Sequence, residues 1–152
     1  MTTIVIGVGN RDRGDDAVGP IVCDRLRAHS SADAPLRVIV CEGSILDLAL
    51  HWQPEDHVVI VDAMPPGTAP GRVVTFDATV EPLPTPGAVS THEIDVSVAI
   101  ELARAIGRMP AQLLLIGVEA AQTEWGTLPS PPVDAAIDAV VDDLVDAHLA
   151  MR

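Results

Sequence analysis

Four short aliphatic runs, each too brief for a helix and separated by amphipathic stretches, constrain this chain more than any other feature of its sequence. Thr3–Val8, Leu36–Cys41, 57–61 and 112–117 are dominated by Val, Ile and Leu with little polar alternation, as in strands buried on both faces of a parallel sheet. A fifth run at 72–76 alternates apolar and polar residues, which marks an edge strand. Helical spacing fills the intervals: 15–28 through Val18, Ile21, Val22 and Leu26, 92–106 through Ile94, Val98, Ile100 and Leu102, and 133–149 through Ile137, Val140, Val141, Leu144 and Val145. A turn or two is expected at 44–50. Alternating strands and helices predict an α/β fold, a three-layer sandwich around a mainly parallel five-stranded sheet with one antiparallel strand. Pro65, Pro66, Gly67, Pro70 and Gly71 punctuate a break short enough to join 57–61 to 72–76 as a hairpin. At 152 residues the chain is expected to be a single domain, 1–152.

Composition narrows the classes of function. The core must be aliphatic, because the sequence holds one Phe, no Tyr and only Trp52 and Trp125. Nine basic residues, all Arg, against twenty-two acids give a net charge of −13, which repels phosphate backbones and anionic lipid. Nucleic acid is therefore not an expected partner. The first apolar run is too short for a signal peptide, and no run approaches the roughly 18 residues of a membrane span. A cytoplasmic protein without membrane insertion is expected. Cys23 and Cys41 lie far apart with no second cysteine or histidine at metal-ligand spacing, so buried thiols are the plain reading.

In an open α/β sheet, ligands bind beyond the carboxyl ends of the parallel strands, so the residues that follow each run matter most. After the first comes a loop with Asp12, Asp15 and Asp16 that feeds a helix; after the second, Glu42; at the end of the third, Asp62. A helix following a parallel strand starts at that same edge. Ser90 and Glu93 have capping-box spacing, which puts His92 in the first turn of the 92–106 helix. There the helix dipole disfavours the imidazolium and leaves a neutral ring able to bind a metal. Asp16, Asp62 and His92 are thus expected to meet at one end of the sheet. Two carboxylates and an imidazole suit a borderline divalent ion such as nickel or zinc, with positions left open for another ligand. Taken singly, each has a plainer reading: Asp16, or Asp15 alone, as a helix-start acid, Asp62 as a turn former, His92 as an ordinary first-turn residue. Only convergence favours the site.

Two rival constellations fail on particular residues. Gly7, Val8 and Gly9 with Glu42 begin a dinucleotide-binding pattern, but Asp12 stands where the third glycine belongs, and three carboxylates would oppose pyrophosphate. Asp15, Asp16 and Asp62 also resemble the acids of a response-regulator receiver domain. That family needs a lysine after its last strand, and this chain has no lysine.

Gly7-Val8-Gly9-Asn10, followed by Gly14-Asp15-Asp16-Ala17-Val18-Gly19, resembles the opening signature of the [NiFe]-hydrogenase maturation proteases. The likeness continues through Glu42-Gly43, Val58-Val59-Ile60-Val61-Asp62-Ala63, Ser90-Thr91-His92-Glu93 and Leu115-Ile116-Gly117-Val118 with the proline-rich loop after it. This resemblance implies an endopeptidase, possessing aspartic-type activity, that removes the C-terminal peptide from the large-subunit precursor of a [NiFe]-hydrogenase. Its implied catalytic and metal-binding residues are Asp16, Asp62 and His92. Nickel already inserted in the precursor serves as the recognition signal, so the metal is brought by the substrate protein, and other divalent ions can substitute. A monomer is expected. The sequence departs from some members in having Asp rather than Glu at position 16, and in Arg11 and Arg13, which are expected to meet an acidic or C-terminal part of the partner unless they are merely solvated. Neither a Ser-His-Asp arrangement nor an HExxH helix is visible, so neither of those peptidase mechanisms is legible. The alternative is a non-catalytic nickel-binding assembly factor on the same fold.

Overall fold

The structure, a computed structural model, describes residues 2–29, 36–42, 45–80 and 96–150. Its five strands are β1 (Thr3–Val8), β2 (Leu36–Cys41), β3 (His57–Met64), β4 (Val73–Asp77) and β5 (Gln112–Glu119), and its helices are α1 (Val18–His29), α2 (Val96–Ala105) and α3 (Pro131–Ala150). Short 3-10 turns at Gly14–Ala17 and Leu48–His51 precede α1 and β3 respectively. The sheet has the order β2-β1-β3-β5-β4. β2, β1, β3 and β5 run parallel, and β4 lies antiparallel on the outer edge of β5.

β-branched and leucine side chains on both faces of the central strands explain the layers. Ile4, Ile6, Val58, Ile60 and Leu113 pack under α2 and the Leu48–His51 turn with Trp52. Val5, Val59, Val61, Ile116 and Val118 pack under α1 and α3. Both faces of the central strands β1, β3 and β5 are thereby largely removed from water, the requirement of a parallel sheet, while edge strand β4 stays partly exposed, and the expected three-layer arrangement is present.

Four expectations need correction. First, β4 does not form a hairpin with β3. Both edges of β3 are occupied, by β1 and by β5, so the chain passes across and β4 pairs with β5, Phe76 opposite Leu115. Second, β3 and β5 run further than their apolar runs: Asp62, Ala63 and Met64 pair with Gly117, Val118 and Glu119. Asp62 therefore lies within a strand rather than closing it. Third, the helix expected over 15–28 is divided, with Asp15 and Asp16 in the 3-10 turn and α1 proper starting at Val18. Fourth, α2 buries Val96, Ala99, Ile100 and Ala103, while Val98 and Leu102 stand 45% and 44% exposed. The helix end expected at His92, with Ser90 and Glu93, lies outside the described residues.

Of the cysteines, Cys23 is fully buried as expected and Cys41 only half-buried. Burial pushes the Cys23 thiol up to about 11, which keeps it protonated and unreactive at neutral pH.

Candidate active site

The sheet changes direction at β1: the chain moves outward from β1 to β2 and then returns to place β3 on the other side. Such a switch point opens a crevice at the carboxyl edge, between the loops that leave the two central strands. Asp16 stands in the loop leaving β1. Asp62 stands on β3, one residue beyond Val61, which is the partner of Gly7. The β1 ladder has ended there and β3 continues on its β5 side alone.

Close backbone packing fixes this edge. A Cβ on Gly7 would lie 2.2 Å from the carbonyl oxygen of Gly19, and one on Gly19 would lie 2.6 Å from that of Val61. The start of α1 is therefore pressed against both central strands, as only glycine allows. Gly9, at φ 141°, turns the chain over the rim, where a Cβ would come within 1.9 Å of the Asp16 carbonyl oxygen. The Gly14–Ala17 turn consequently packs against β3.

Asp16 is half-buried, and its Oδ2 accepts the Asn10 N–H at 2.9 Å. Its Oδ1 accepts no hydrogen bond among the described residues. Asp62 is also half-buried, with Oδ1 accepting the Ala63 N–H at 2.8 Å. By strand alternation Asp62 shares a face with Val58 and Ile60, the face that α2 covers. The third expected member, His92, lies outside the described residues. Among the described residues, no three His, Cys, Asp or Glu side chains gather as a metal site. The two rim carboxylates alone supply oxygen donors suited to part of a divalent ion's shell.

Asp15, adjacent in sequence to Asp16, has a different role. It is fully buried, and its carboxylate accepts N–H groups of Ala121 at 2.7 Å, Gln122 at 3.0 Å and Ser130 at 2.6 Å, with the Ser130 hydroxyl at 2.8 Å. Burial pushes its pKa up, but the donors of Gln122, Ser130 and Ala121 outweigh it, and the carboxyl ends below its ordinary range. Further bonds lace the same two loops: Gly14 N–H to Thr127 O at 3.0 Å, Asp15 N–H to Gln122 O at 2.8 Å and Gly126 N–H to Asp12 O at 2.7 Å. The β1–α1 loop thus carries the β5–α3 loop with it, and this second loop forms one wall of the rim. From the sequence that loop is only a proline-rich break. The one available signal was Ser130 directly before Pro131, the residue order of a helix start.

Arg11 is held within the chain. Its guanidinium bonds Asp24 through Nη1 and Nη2, and its Nε lies 2.8 Å from Glu42 Oε1. Glu42, the acid of the failed dinucleotide-binding pattern, is therefore an ion-pair partner, and the Arg11 guanidinium holds the Asp24 carboxyl below its ordinary range. Arg13 donates from Nε to Thr123 O at 3.2 Å and lies over the Trp125 ring, 5.2 Å from its centroid.

Fold and rim together define a small, open α/β protein whose switch-point crevice carries two carboxylates. Comparison with known proteins makes this specific: residues 24–147 match the hydrogenase maturation protease (HycI) family model, and the chain belongs to that family of peptidases. That match begins after Asp16 and takes in Asp62 and His92. The chain is 28% identical to the hydrogenase expression/formation protein HupD of Bradyrhizobium diazoefficiens, over 91% of this chain and 73% of that protein. It is 24% identical to the hydrogenase 2 maturation protease of Escherichia coli, over 97% and 90% of the respective chains. The solved structure of the hydrogenase maturating endopeptidase HybD from Escherichia coli superposes with a TM-score of 0.78 at 25% identity, covering 97% of this chain and 91% of that one.

Proposed function

We propose that this protein removes the C-terminal peptide from the nickel-loaded precursor of a [NiFe]-hydrogenase large subunit, and that the nickel carried by the precursor is what it recognises. The observation behind this reading is the position of Asp16 and Asp62 on the two sides of the sheet's switch point, in a chain of the maturation protease family. His92 is proposed as the third donor. Three protein donors bind a divalent ion incompletely, so donors on the precursor finish its shell, and recognition becomes tied to metal loading. The ion enters as part of the substrate, and another divalent ion of similar ligand preference can take its place.

Hydrolysis requires a group to accept a proton from water as its oxygen attacks the scissile carbonyl, and to return a proton to the departing amine. In this reading the rim carboxylates of Asp16 and Asp62 supply that acceptor. Asp16 Oδ1, without a hydrogen bond among the described residues, is suited either to the ion or to the proton. The reading sets the reaction in the cytoplasm, with one copy of the chain acting on one precursor. No described helix is long and apolar enough to cross a membrane.

The test is to incubate the protein with nickel-loaded and with nickel-free precursor and to weigh the large subunit by mass spectrometry. Shortening only of the loaded form is expected. Tight binding without shortening would leave a non-catalytic nickel-dependent assembly factor as the better description.

A further inference from the structure

The loop from Ala120 to Ser130 carries two large apolar side chains in water: Trp125 is 67% exposed and Leu128 is 82% exposed. Exposed apolar groups on a loose loop would be unremarkable, but this loop is pinned. Asp15 holds both its ends, and Gly14, Asp12 and Arg13 bond to Thr127, Gly126 and Thr123 between them. A surface already fixed loses little entropy when something settles on it.

The charge beside it is equally particular. In a chain of net charge −13, the Arg13 guanidinium pairs with no carboxylate among the described residues. It uses Nε–H on Thr123 O and its face on Trp125, so the donors on its two terminal nitrogens have no acceptor among the described residues. A tryptophan and an arginine in contact, with an exposed leucine three residues further along the same loop, have the composition of an interaction hot spot. Arg13 also accepts the Asp16 N–H on its carbonyl oxygen at 3.0 Å, so this surface is continuous with the rim.

We infer that Trp125, Leu128 and Arg13 form a preformed docking shelf for the C-terminal segment of the hydrogenase precursor, seating an apolar side chain on Trp125 and Leu128 and a neighbouring carboxylate on Arg13. This rests on the function proposed above and adds where the substrate chain lies: across the β5–α3 loop, leading into the crevice between β1 and β3. The shelf contributes binding and no chemistry.

The experiment measures cleavage kinetics and equilibrium binding of nickel-loaded precursor for the parent chain, for Trp125→Ala/Leu128→Ala and for Arg13→Gln, with thermal unfolding and light scattering alongside. Because both apolar groups are exposed, the double variant is expected to fold as the parent does. Its KM and Kd should rise about tenfold with kcat nearly unchanged, the pattern of lost uniform binding. Arg13→Gln should weaken binding and flatten its salt dependence. Unchanged KM and Kd in the double variant overturn the shelf, as does a parent dimer that this variant splits without any effect on KM, since the surface would then join two copies of the chain. If the parent binds precursor without cutting it and the double variant binds more weakly, the proposed reaction fails and the shelf stands. A parent that neither cuts nor binds overturns both.

Discussion

Asp15 and Ser130, 115 residues apart in sequence, are joined by three hydrogen bonds: the Ser130 N–H to Asp15 Oδ1, and the Ser130 hydroxyl to both carboxylate oxygens. The start of α3 is thereby fastened to the loop that carries Asp16. Removing the carboxylate leaves the N–H groups of Ala121, Gln122 and Ser130 without their acceptor in a buried place. Each such orphan costs on the order of 1–3 kcal/mol before relaxation. Asp15→Ala is expected to lower unfolding free energy by about 3–5 kcal/mol in urea titration. A loss below about 1 kcal/mol, the size of an ordinary surface change, would show that the lacing between these loops is dispensable.

The same carboxylate should shape the acid limb of stability. Hydrogen bonds from Gln122, Ser130 and Ala121 outweigh burial and hold Asp15 below its ordinary value, and Asp56 is held below by the Gln53 and Thr2 N–H groups against the opposing effect of burial. A folded pKa lower than the unfolded one means that the stabilisation is complete above the unfolded value, near about 3.9, and disappears as pH falls through the folded value. The urea midpoint is expected to stay nearly level down to about pH 5 as far as these two groups are concerned, then fall below about pH 4. In Asp15→Ala the acid fall should be shallower, because one of the two groups is gone. Parallel curves for the two proteins would remove Asp15 from the account.

Gly9 supplies a second, sterically defined test. Its φ of 141° is unfavourable for a residue with a side chain, and a Cβ would lie 1.9 Å from the carbonyl oxygen of Asp16. That contact is with backbone, so it cannot be relieved by rotating a side chain, and the Gly14–Ala17 turn must move. Gly9→Ala is expected to cost about 3 kcal/mol, combining strain at an unfavourable φ with overpacking, and to abolish precursor cleavage at temperatures where the variant is still folded. Normal cleavage by a folded Gly9→Ala protein would mean that the position of Asp16 is not tightly required.

Much of the frame is legible in the sequence because buried parallel strands need continuous β-branched runs: β1 and β2 begin and end where their apolar residues do. β3 and β5 run on past theirs, where Asp62, Ala63 and Met64 pair with Gly117, Val118 and Glu119 and β4 pairs with the other edge of β5 at Gly117 and Val118. The partner of β4 was not legible for a related reason. A short break resembles a hairpin, and only the occupation of both edges of β3 excludes it. On α2 the buried face is partly Ala99 and Ala103, whose small side chains carry little pattern, while the larger Val98 and Leu102 face outward.

At the site, the same limit separates Asp15 from Asp16. Identical neighbours in sequence, they differ in what reaches them: Asp15 accepts from residues more than a hundred positions away, which spacing does not encode, while Asp16 accepts from nearby Asn10. The placement of Asp16 and Asp62 at one edge of the sheet is legible because both come after apolar runs that end there, whereas His92 lies outside the described residues. By position in a surface loop Arg11 suggests a partner contact or a solvated charge. Asp24, one face of α1 away, and Glu42, just after β2, hold it instead, and both required the fold to be known.

Asp16 and Asp62 should behave unlike Asp15 when each is replaced by its neutral isostere. Both are half-buried, each carboxylate accepts one local backbone N–H in the bonds described above, and Asn keeps an oxygen that can accept it. Asp16→Asn and Asp62→Asn are therefore expected to change unfolding free energy by less than about 1 kcal/mol. Asn cannot carry the negative charge that attracts a divalent ion, nor take a proton from water at neutral pH. Cleavage of nickel-loaded precursor is expected to fall on the order of 100-fold or more in each, the scale of a lost acid-base group. Binding of the loaded precursor, followed separately, should weaken in whichever variant removes an ion ligand and persist where the lost group served only the proton. Full cleavage by either variant, with its fold intact, would show that its carboxylate takes no part in the reaction.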